Sequence, residues 1–181
     1  IGPLGAYVVN ASFQITTQRS GITYNNDFIN DVMQDSLGRW WALTNRGPYR
    51  GAALGWSMEH VSTLYSTVAN VPTVETPANR IAQDANGHLW FIVNGYGGDG
   101  IYCLTAADVW EKYNAASVGV GNLAAADLAA HPNGDVWFGL IYGQGLARFR
   151  RGSGWVRHSM TSLGIESYEA SSLALIGDKL W

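Results

Sequence analysis

Four histidines and one cysteine are the side chains of this sequence with the widest range of possible chemistry. The histidines, His60, His88, His131 and His158, do not pair at metal-ligand spacing. The sequence also lacks a nucleophile elbow, a phosphate-binding loop and a zinc-protease helix. No catalytic residue, metal site or cofactor is therefore predicted. Cys103 lies in an apolar run and is expected to be a buried, unreactive thiol.

Two of the histidines and several carboxylates are expected to have structural rather than chemical roles. His60 and His158 follow a tryptophan by three or four residues, a position that Tyr113 fills elsewhere, so both are predicted to pack as aromatic rings. Five scattered carboxylates are expected to be solvated charges in loops: Glu75, Asp99, Asp127, Glu166 and Glu169.

Three segments have the composition of a binding surface. Residues 44–50, 94–99 and 141–144 combine tyrosine with amides or arginine, which suits a polar ligand held by hydrogen bonds and ring stacking. The ligand-binding residues predicted from these segments are Asn45, Arg46, Tyr49, Arg50, Asn94, Tyr96, Asp99, Tyr142 and Gln144. The alternative is that all three segments are ordinary turns.

The elements that position these segments follow from a repeat. Segments 32–41, 81–90 and 128–137 align without gaps, a shortened copy occupies 173–181, and each ends on a tryptophan. The tryptophans recur every 44 to 49 residues, close to the ~40 to 50 residues of a four-stranded unit. Each copy is predicted to be a strand, a tight turn and a second strand, with a third and a fourth strand following.

The turn inside each copy has a recognisable chemistry. Asp35 and Asp84 each precede a glycine by three residues, and His131 does so in the third copy. We expect the aspartates to accept hydrogen bonds from nearby backbone amides and the glycines to supply a positive φ. We predict that the repeated tryptophans pack in the core rather than against a ligand.

These units predict an all-β fold, a β-propeller of four-stranded antiparallel blades, because one such sheet cannot bury both of its faces alone. The predicted divisions are half-blades at 1–28 and 170–181 and complete blades at 29–79, 80–124 and 125–169. The half-blades leave two alternatives. Either the ends pair and close a small four-bladed ring, or, as we favour, the chain is part of a larger propeller whose open edges can pair with another chain.

Charge and hydropathy limit the partners. The net charge is -3 and the isoelectric point is near 5.7, so neither nucleic acid nor an anionic membrane surface is expected to bind. No apolar run approaches the ~18 to 20 residues of a membrane span. The expected partner is a small polar ligand or another protein chain.

The repeats resemble a known family. Segments 34–45 and 83–91 are similar to the two-component regulator propeller repeat, and the resemblance extends over residues 29–181. It implies export to the periplasm or cell surface and a sensor or interaction role. Residues 136–138 also resemble repeats of streptogramin B lyase-type propellers, although the sequence has no catalytic histidine pair to match theirs.

These observations favour an exported module that senses a ligand or binds a protein through its polar and aromatic loops. Two alternatives remain. One is a propeller lyase or hydrolase that works at the same loops, and the other is a structural component of a larger surface assembly.

Overall fold

The computed structural model describes residues 6–9, 15–19, 28–52, 58–73, 76–94, 100–166 and 169–181, with the backbone alone for the first two ranges. These residues form three four-stranded antiparallel sheets and two separate hairpins. The first hairpin pairs β1 (Ala6–Val9) with β2 (Ile15–Arg19). The second pairs β15 (Leu175–Ile176) with β16 (Lys179–Leu180).

The first blade is the sheet of β3 to β6, whose strands are hydrogen-bonded in sequence order. Their bounds are Ile29–Gln34, Trp40–Thr44, Gly47–Gly51 and Glu59–His60. Helix α1 (Val61–Leu64) follows at once, and the His60 side chain accepts a hydrogen bond from the Ser62 amide at its first turn. The chain thus leaves the outer strand through a short capped helix.

The second blade repeats this order with β7 to β10. Its strands span Ala78–Gln83, Leu89–Val93, Gly100–Leu104 and Trp110–Tyr113. Helix α2 (Ala115–Val118) follows, and Asn114 caps it through a reciprocal pair of hydrogen bonds with Ser117. The connection to the next blade is therefore built in the same way as the first.

The third blade contains β11 to β14, again in sequence order. Its strands span Ala125–Ala130, Asp135–Leu140, Gly145–Arg150 and Gly154–His158. A short 3-10 helix (Thr161–Leu163) replaces the α-helix found after the other two blades.

The middle blade is buried on both faces, which accounts for its apolar strands. In β8, Leu89, Phe91 and Val93 belong to the core shared with the first blade, whereas Trp90 and Ile92 belong to the core shared with the third. Because successive strand side chains point to opposite faces, a strand between two blades must be apolar at every position. The sheets therefore stack face to face.

Two of the four repeated tryptophans, Trp41 and Trp90, lie at these contacts as predicted, whereas Trp137 is only partly buried and Trp181 is 68% exposed. Trp41 is 0% exposed and meets Phe91 of the next blade edge to face, with ring centroids 5.4 Å apart. Trp90 is 1% exposed and meets Phe138 at 5.8 Å and Phe149 at 4.9 Å. The packing role is confirmed at both blade interfaces.

The predicted turn chemistry is also present. One carboxylate oxygen of Asp35 accepts from the amides of Leu37 and Arg39, and Gly38 has a φ of 76°. The other oxygen accepts the indole N–H of Trp41 at 2.9 Å, and Asp84 and Trp90 repeat this bond at 2.9 Å. One aspartate thus shapes the turn and satisfies the buried indole, a link that the sequence does not reveal.

Candidate functional site

The first strands of the three blades, β3, β7 and β11, are neighbours in space and form the inner edge of the stack. In each blade, the first residue after the second strand donates its backbone N–H to the carbonyl just before this inner strand. The three pairs are Asn45 with Phe28 at 3.2 Å, Asn94 with Pro77 at 2.9 Å and Ile141 with Ala124 at 3.0 Å. The second-to-third connections and the starts of the inner strands therefore share one end, which we call the mouth.

All three inner strands are irregular near the mouth. The register shifts between Ile29 and Asp31 in β3, and equivalent shifts occur in β7 and β11. The extra residues at these bulges are Asn30, Asn79 and Ala126. Bulges re-aim side chains and are common beside functional sites.

The residue after each bulge is charged, and each reaches the next element in the stack. Asp31 accepts the backbone N–H of Ile81 at 3.1 Å. Arg80 donates its Nε to Asp127 at 3.2 Å. Asp127 in turn accepts the backbone N–H of Leu173 at 2.8 Å. The alternating charges thus tie successive inner strands together at the mouth.

The bulge residues extend this arrangement. Asn30 donates to the Ala78 carbonyl at 2.9 Å and to the Asn79 Oδ1 at 3.3 Å. Arg80 also donates to the Asn79 carbonyl at 3.0 Å, and its side chain is 44% exposed. We call the connected set the polar row: Asn30, Asp31, Asn79, Arg80 and Asp127.

The expectation that Asp127 is a solvated loop charge is wrong. It lies on β11, its side chain is 13% exposed, and it also accepts from the Leu128 amide at 2.9 Å. A bulged strand with polar residues has no clear period-two pattern, and for this reason Asp127 looks like a loop residue in the sequence. The row carries both signs of charge, and its one guanidinium is paired.

Two of the predicted ligand residues lie at the mouth with structural partners. Asn45 accepts the Phe28 amide through its Oδ1 at 2.9 Å. Asn94 donates its Nδ2 to the Ala125 carbonyl at 3.2 Å, and this bond joins the second blade to the inner strand of the third. Both residues brace the mouth, and Asn94 lies beside the polar row.

Arg46 lies in the first blade's own connection, whereas Tyr49, predicted as a loop residue, lies on β5. Arg46 follows Asn45 in the two-residue turn, and the Tyr49 ring lies edge to face on His60 at 5.1 Å. Burial lowers the pKa of His60 below its ordinary 6.5, against an opposing effect of the Arg46 backbone. His60 is therefore a buried aromatic partner, as predicted, and also a helix cap.

Arg50 lies away from the mouth. It pairs with Trp41 across the sheet, four residues and about 13 Å along the strand from Arg46. Its guanidinium donates to the Tyr65 hydroxyl at 2.5 Å, and that hydroxyl donates to Asp108 of the second blade at 2.8 Å. Burial and the bond to Asp108 raise the pKa of Tyr65 to about 12. This network joins the first two blades.

Tyr142 and Gln144 form the connection of the third blade. Tyr142 is 65% exposed and has a φ of 56°, and the following Gly143 has a φ of 71°. The Gln144 amide closes the turn on the Ile141 carbonyl at 3.3 Å. Two successive positive φ values define a type I′ turn, in which a tyrosine is strained. The other predicted ligand residues, Tyr96 and Asp99, lie outside the described residues.

The other histidines also have local roles. His88 accepts the Ala106 amide through its Nδ1 at 2.8 Å, and His131 accepts the Asn133 amide at 3.1 Å. His158 lies against the Trp137 ring at 5.3 Å, which fits the predicted aromatic role. Over the ranges that the structure describes, no three histidine, cysteine or acidic side chains group closely enough to hold a metal ion.

A polar cavity of about 280 Å³ lies at the opposite end of the stack, between the first turns of the second and third blades. Its arginines are engaged by carboxylates: Arg150 forms two bonds with Asp135, at 2.6 and 2.8 Å, and Arg151 forms two with Glu111, at 3.0 and 2.8 Å. Both arginines therefore brace the blades rather than present open donors. The mouth is therefore a stronger candidate for a polar ligand than this cavity is.

No protein-family model and no curated protein sequence matches this chain. Solved structures match it in fold. The extracellular domain of BT3049, described as a hybrid two-component system of B. thetaiotaomicron, is 12% identical with a TM-score of 0.64, over 83% of this chain and 21% of that one. The extracellular domain of BT4673 from the same organism is 17% identical with a TM-score of 0.64, over 97% and 23%.

A catalytically inactive virginiamycin B lyase from Staphylococcus aureus, solved with quinupristin, is 14% identical with a TM-score of 0.58, over 78% of this chain and 44% of that one. The chain has a β-propeller fold. Both resemblances inferred from the repeats are thereby confirmed at the level of the fold. The chain spans 21% to 44% of these three structures. In the described part of the chain, no helix is long and apolar enough to cross a membrane.

Proposed function

We propose that this chain belongs to an exported propeller that binds a small, neutral, polar ligand at the mouth and acts as a sensing module in the periplasm or at the cell surface. The polar row carries this proposal. Three inner strands bulge at the same level and place carboxylates, amides and a guanidinium side by side. Bulges are common at sheet edges and beside functional sites, and each bulge here is followed by a charged residue that reaches the next element of the stack.

The pairing of charges determines the kind of ligand. Arg80 is bonded to Asp127, so the row has no open cation for an anionic ligand, and its second carboxylate, Asp31, already accepts backbone N–H groups from Val32 and Ile81. The row does offer donors and acceptors in alternation across the neighbouring inner strands, which belong to different sheets and meet through their side chains. A ligand rich in hydroxyl or amide groups matches such a surface better than an ion does.

The choice of a sensing role over catalysis has separate support. Two of the structures similar in fold are extracellular domains of signalling proteins. The lyase that is also similar in fold gives no direct support for an enzyme, because each described histidine here caps a turn or helix or packs on a ring, and none is in the polar row.

The test is a thermal-shift screen of neutral saccharides and blocked dipeptides, followed by calorimetric titration of any stabilising compound. A ligand at 100 times its Kd stabilises the fold by about 2.7 kcal/mol, which raises the Tm of a chain of this size by about 5 to 10 °C. Arg80→Gln and Asp127→Asn should each weaken binding at least tenfold, since each disrupts the Arg80–Asp127 pair that fixes the donors and acceptors of the polar row.

Lys112→Gln is the matched control, because Lys112 is an exposed cation on the outer strand of the same blade as Arg80. Binding that survives both mouth substitutions, or that falls equally in the control, would contradict the proposal.

A further inference from the structure

The polar row is incomplete in the third blade. The bulge residue is asparagine in the first and second blades, at Asn30 and Asn79, but alanine in the third, at Ala126. Asn30 shows what the asparagine does: its Nδ2 bonds to the carbonyl of the residue before the next bulge, Ala78, and to the side chain of the next bulge residue, Asn79. Asn30 therefore donates to the following blade.

Asn79 does not repeat these bonds. The equivalent carbonyl in the third blade is that of Ala125, which accepts from Asn94 instead, at 3.2 Å. The equivalent side chain is the methyl group of Ala126, which accepts nothing. Among the hydrogen bonds of the described residues, none is donated by the Asn79 Nδ2, and Asn79 is partly exposed. Because its Oδ1 faces Asn30, its amide nitrogen is directed away from that residue.

We infer that Ala126 creates a subsite for an amide group of the ligand. This inference rests on the proposed function and specifies its ligand class. A ligand amide placed over Ala126 takes the position of the missing asparagine side chain, and its carbonyl oxygen accepts from the Asn79 Nδ2. The chemical group that fits is an acetamido group, which differs little in size and polarity from the end of an asparagine side chain.

An acetamido group has two common sources, an N-acetylated sugar and a blocked amino acid. Both satisfy the Asn79 donor, whereas the same sugar without the acetamido group leaves it with water alone. One such hydrogen bond corresponds to about a tenfold difference in affinity.

The experiment is a calorimetric titration of the chain with three probes: N-acetylglucosamine, glucose and N-acetylalanine amide. The expected result is that one or both acetamido probes bind at least tenfold more tightly than glucose, and the two acetamido probes distinguish a sugar from a peptide source. Ala126→Asn should remove this preference by filling the subsite, without lowering the Tm.

Two further variants control the result. Ala116→Asn makes the same change on the exposed surface of α2 and should leave binding unaltered. Asn79→Ala removes the donor without adding bulk, so it should abolish the preference for the acetamido probes even if Ala126→Asn fails to fold.

The inference is overturned if glucose binds as tightly as the acetamido probes, or if Ala126→Asn and Asn79→Ala both keep the preference. In either case, binding of another neutral compound that depends on Arg80 would leave the proposed function standing. If neither these probes nor any compound of the thermal-shift screen binds, the proposed function fails as well.

Discussion

Replacing the turn aspartate of a blade should destabilise the fold far more than replacing the histidine at the same position of the third blade. Asp35 accepts four N–H groups: the Leu37 and Arg39 amides, the Arg39 Nε at 2.7 Å and the Trp41 indole at 2.9 Å. His131, its counterpart, accepts the Asn133 amide and meets the Asp178 carbonyl at 3.1 Å. The two positions therefore differ in the number of donors left without a partner.

The magnitude follows from where those donors lie. Trp41 is 0% exposed, so its indole N–H would be left buried and unpaired in Asp35→Ala, at a cost of about 1 to 3 kcal/mol. The turn amides and Arg39 are closer to solvent and together contribute about 1 to 1.5 kcal/mol. We expect a loss of about 2 to 4.5 kcal/mol for Asp35→Ala and about 1 kcal/mol or less for His131→Ala.

Urea unfolding followed by tryptophan fluorescence measures both losses. A double-mutant cycle with Trp41→Phe isolates the carboxylate–indole bond, and we expect a coupling of about 1.5 to 3 kcal/mol because the acceptor is charged. A coupling below about 0.5 kcal/mol, or equal losses for Asp35→Ala and His131→Ala, would refute the reasoning.

Three further predictions concern packing, pH and reactivity. Gly139→Ala should lower the free energy of unfolding by about 1 to 3 kcal/mol, because the added Cβ would lie 2.2 Å from the Ala170 carbonyl oxygen. In the control Gly121→Ala the added Cβ has no neighbour within 4 Å, so the loss measured by urea unfolding should be less than about 0.5 kcal/mol. Burial lowers the pKa of His60 below 6.5, so at this side chain the unfolded chain binds more protons than the folded chain does. The free energy of unfolding should therefore fall as the pH drops from 7 through 6.5. His60→Gln should flatten that part of the plot of stability against pH. Burial raises the pKa of the Cys103 thiol to about 12, so it should not react with a thiol reagent at pH 8 until the chain unfolds.

The loss of stability at more acidic pH has a separate origin. Burial acts to raise the pKa of Asp35, but hydrogen bonds from Trp41 and Arg39 outweigh it and hold the pKa below the ordinary 3.8. For Asp135, burial is likewise outweighed by Arg150 and Asn133. The stability from both carboxylates is complete above the ordinary pKa and is lost as the pH falls through their lowered values. It therefore does not mask the effect of His60 between pH 7 and 5.

The architecture could be predicted from the sequence because its signals are local and repeated. The Asp-x-x-Gly turn and the tryptophan six residues after the aspartate recur at the same spacing. Both features act within one pair of adjacent strands, where the aspartate contacts the tryptophan. The bond between the carboxylate and the indole could not be predicted, because the turn alone explains why an aspartate recurs at this position.

The candidate site was less accessible from the sequence. The loops were selected for their tyrosines and arginines, yet Arg50 lies beyond the turn, where it pairs with Trp41. The polar row was missed because it belongs to strands: Arg80 and Asp127 are 47 residues apart and meet only through the bulges and the blade stacking. The signal that could have indicated it is the repetition of a charged residue immediately before the regularly spaced apolar position of each inner strand, at Asp31, Arg80 and Asp127.

The central claim is that a ligand binds at the mouth, where the inner strands begin. An amide chemical-shift titration with the best compound of the thermal-shift screen tests it most directly. We predict that the largest shifts occur at Asn30, Asn79, Arg80 and Asp127. Shifts centred instead on the opposite end of the stack, around Asn86 and Asn133 in the 280 Å³ cavity, would contradict the claim.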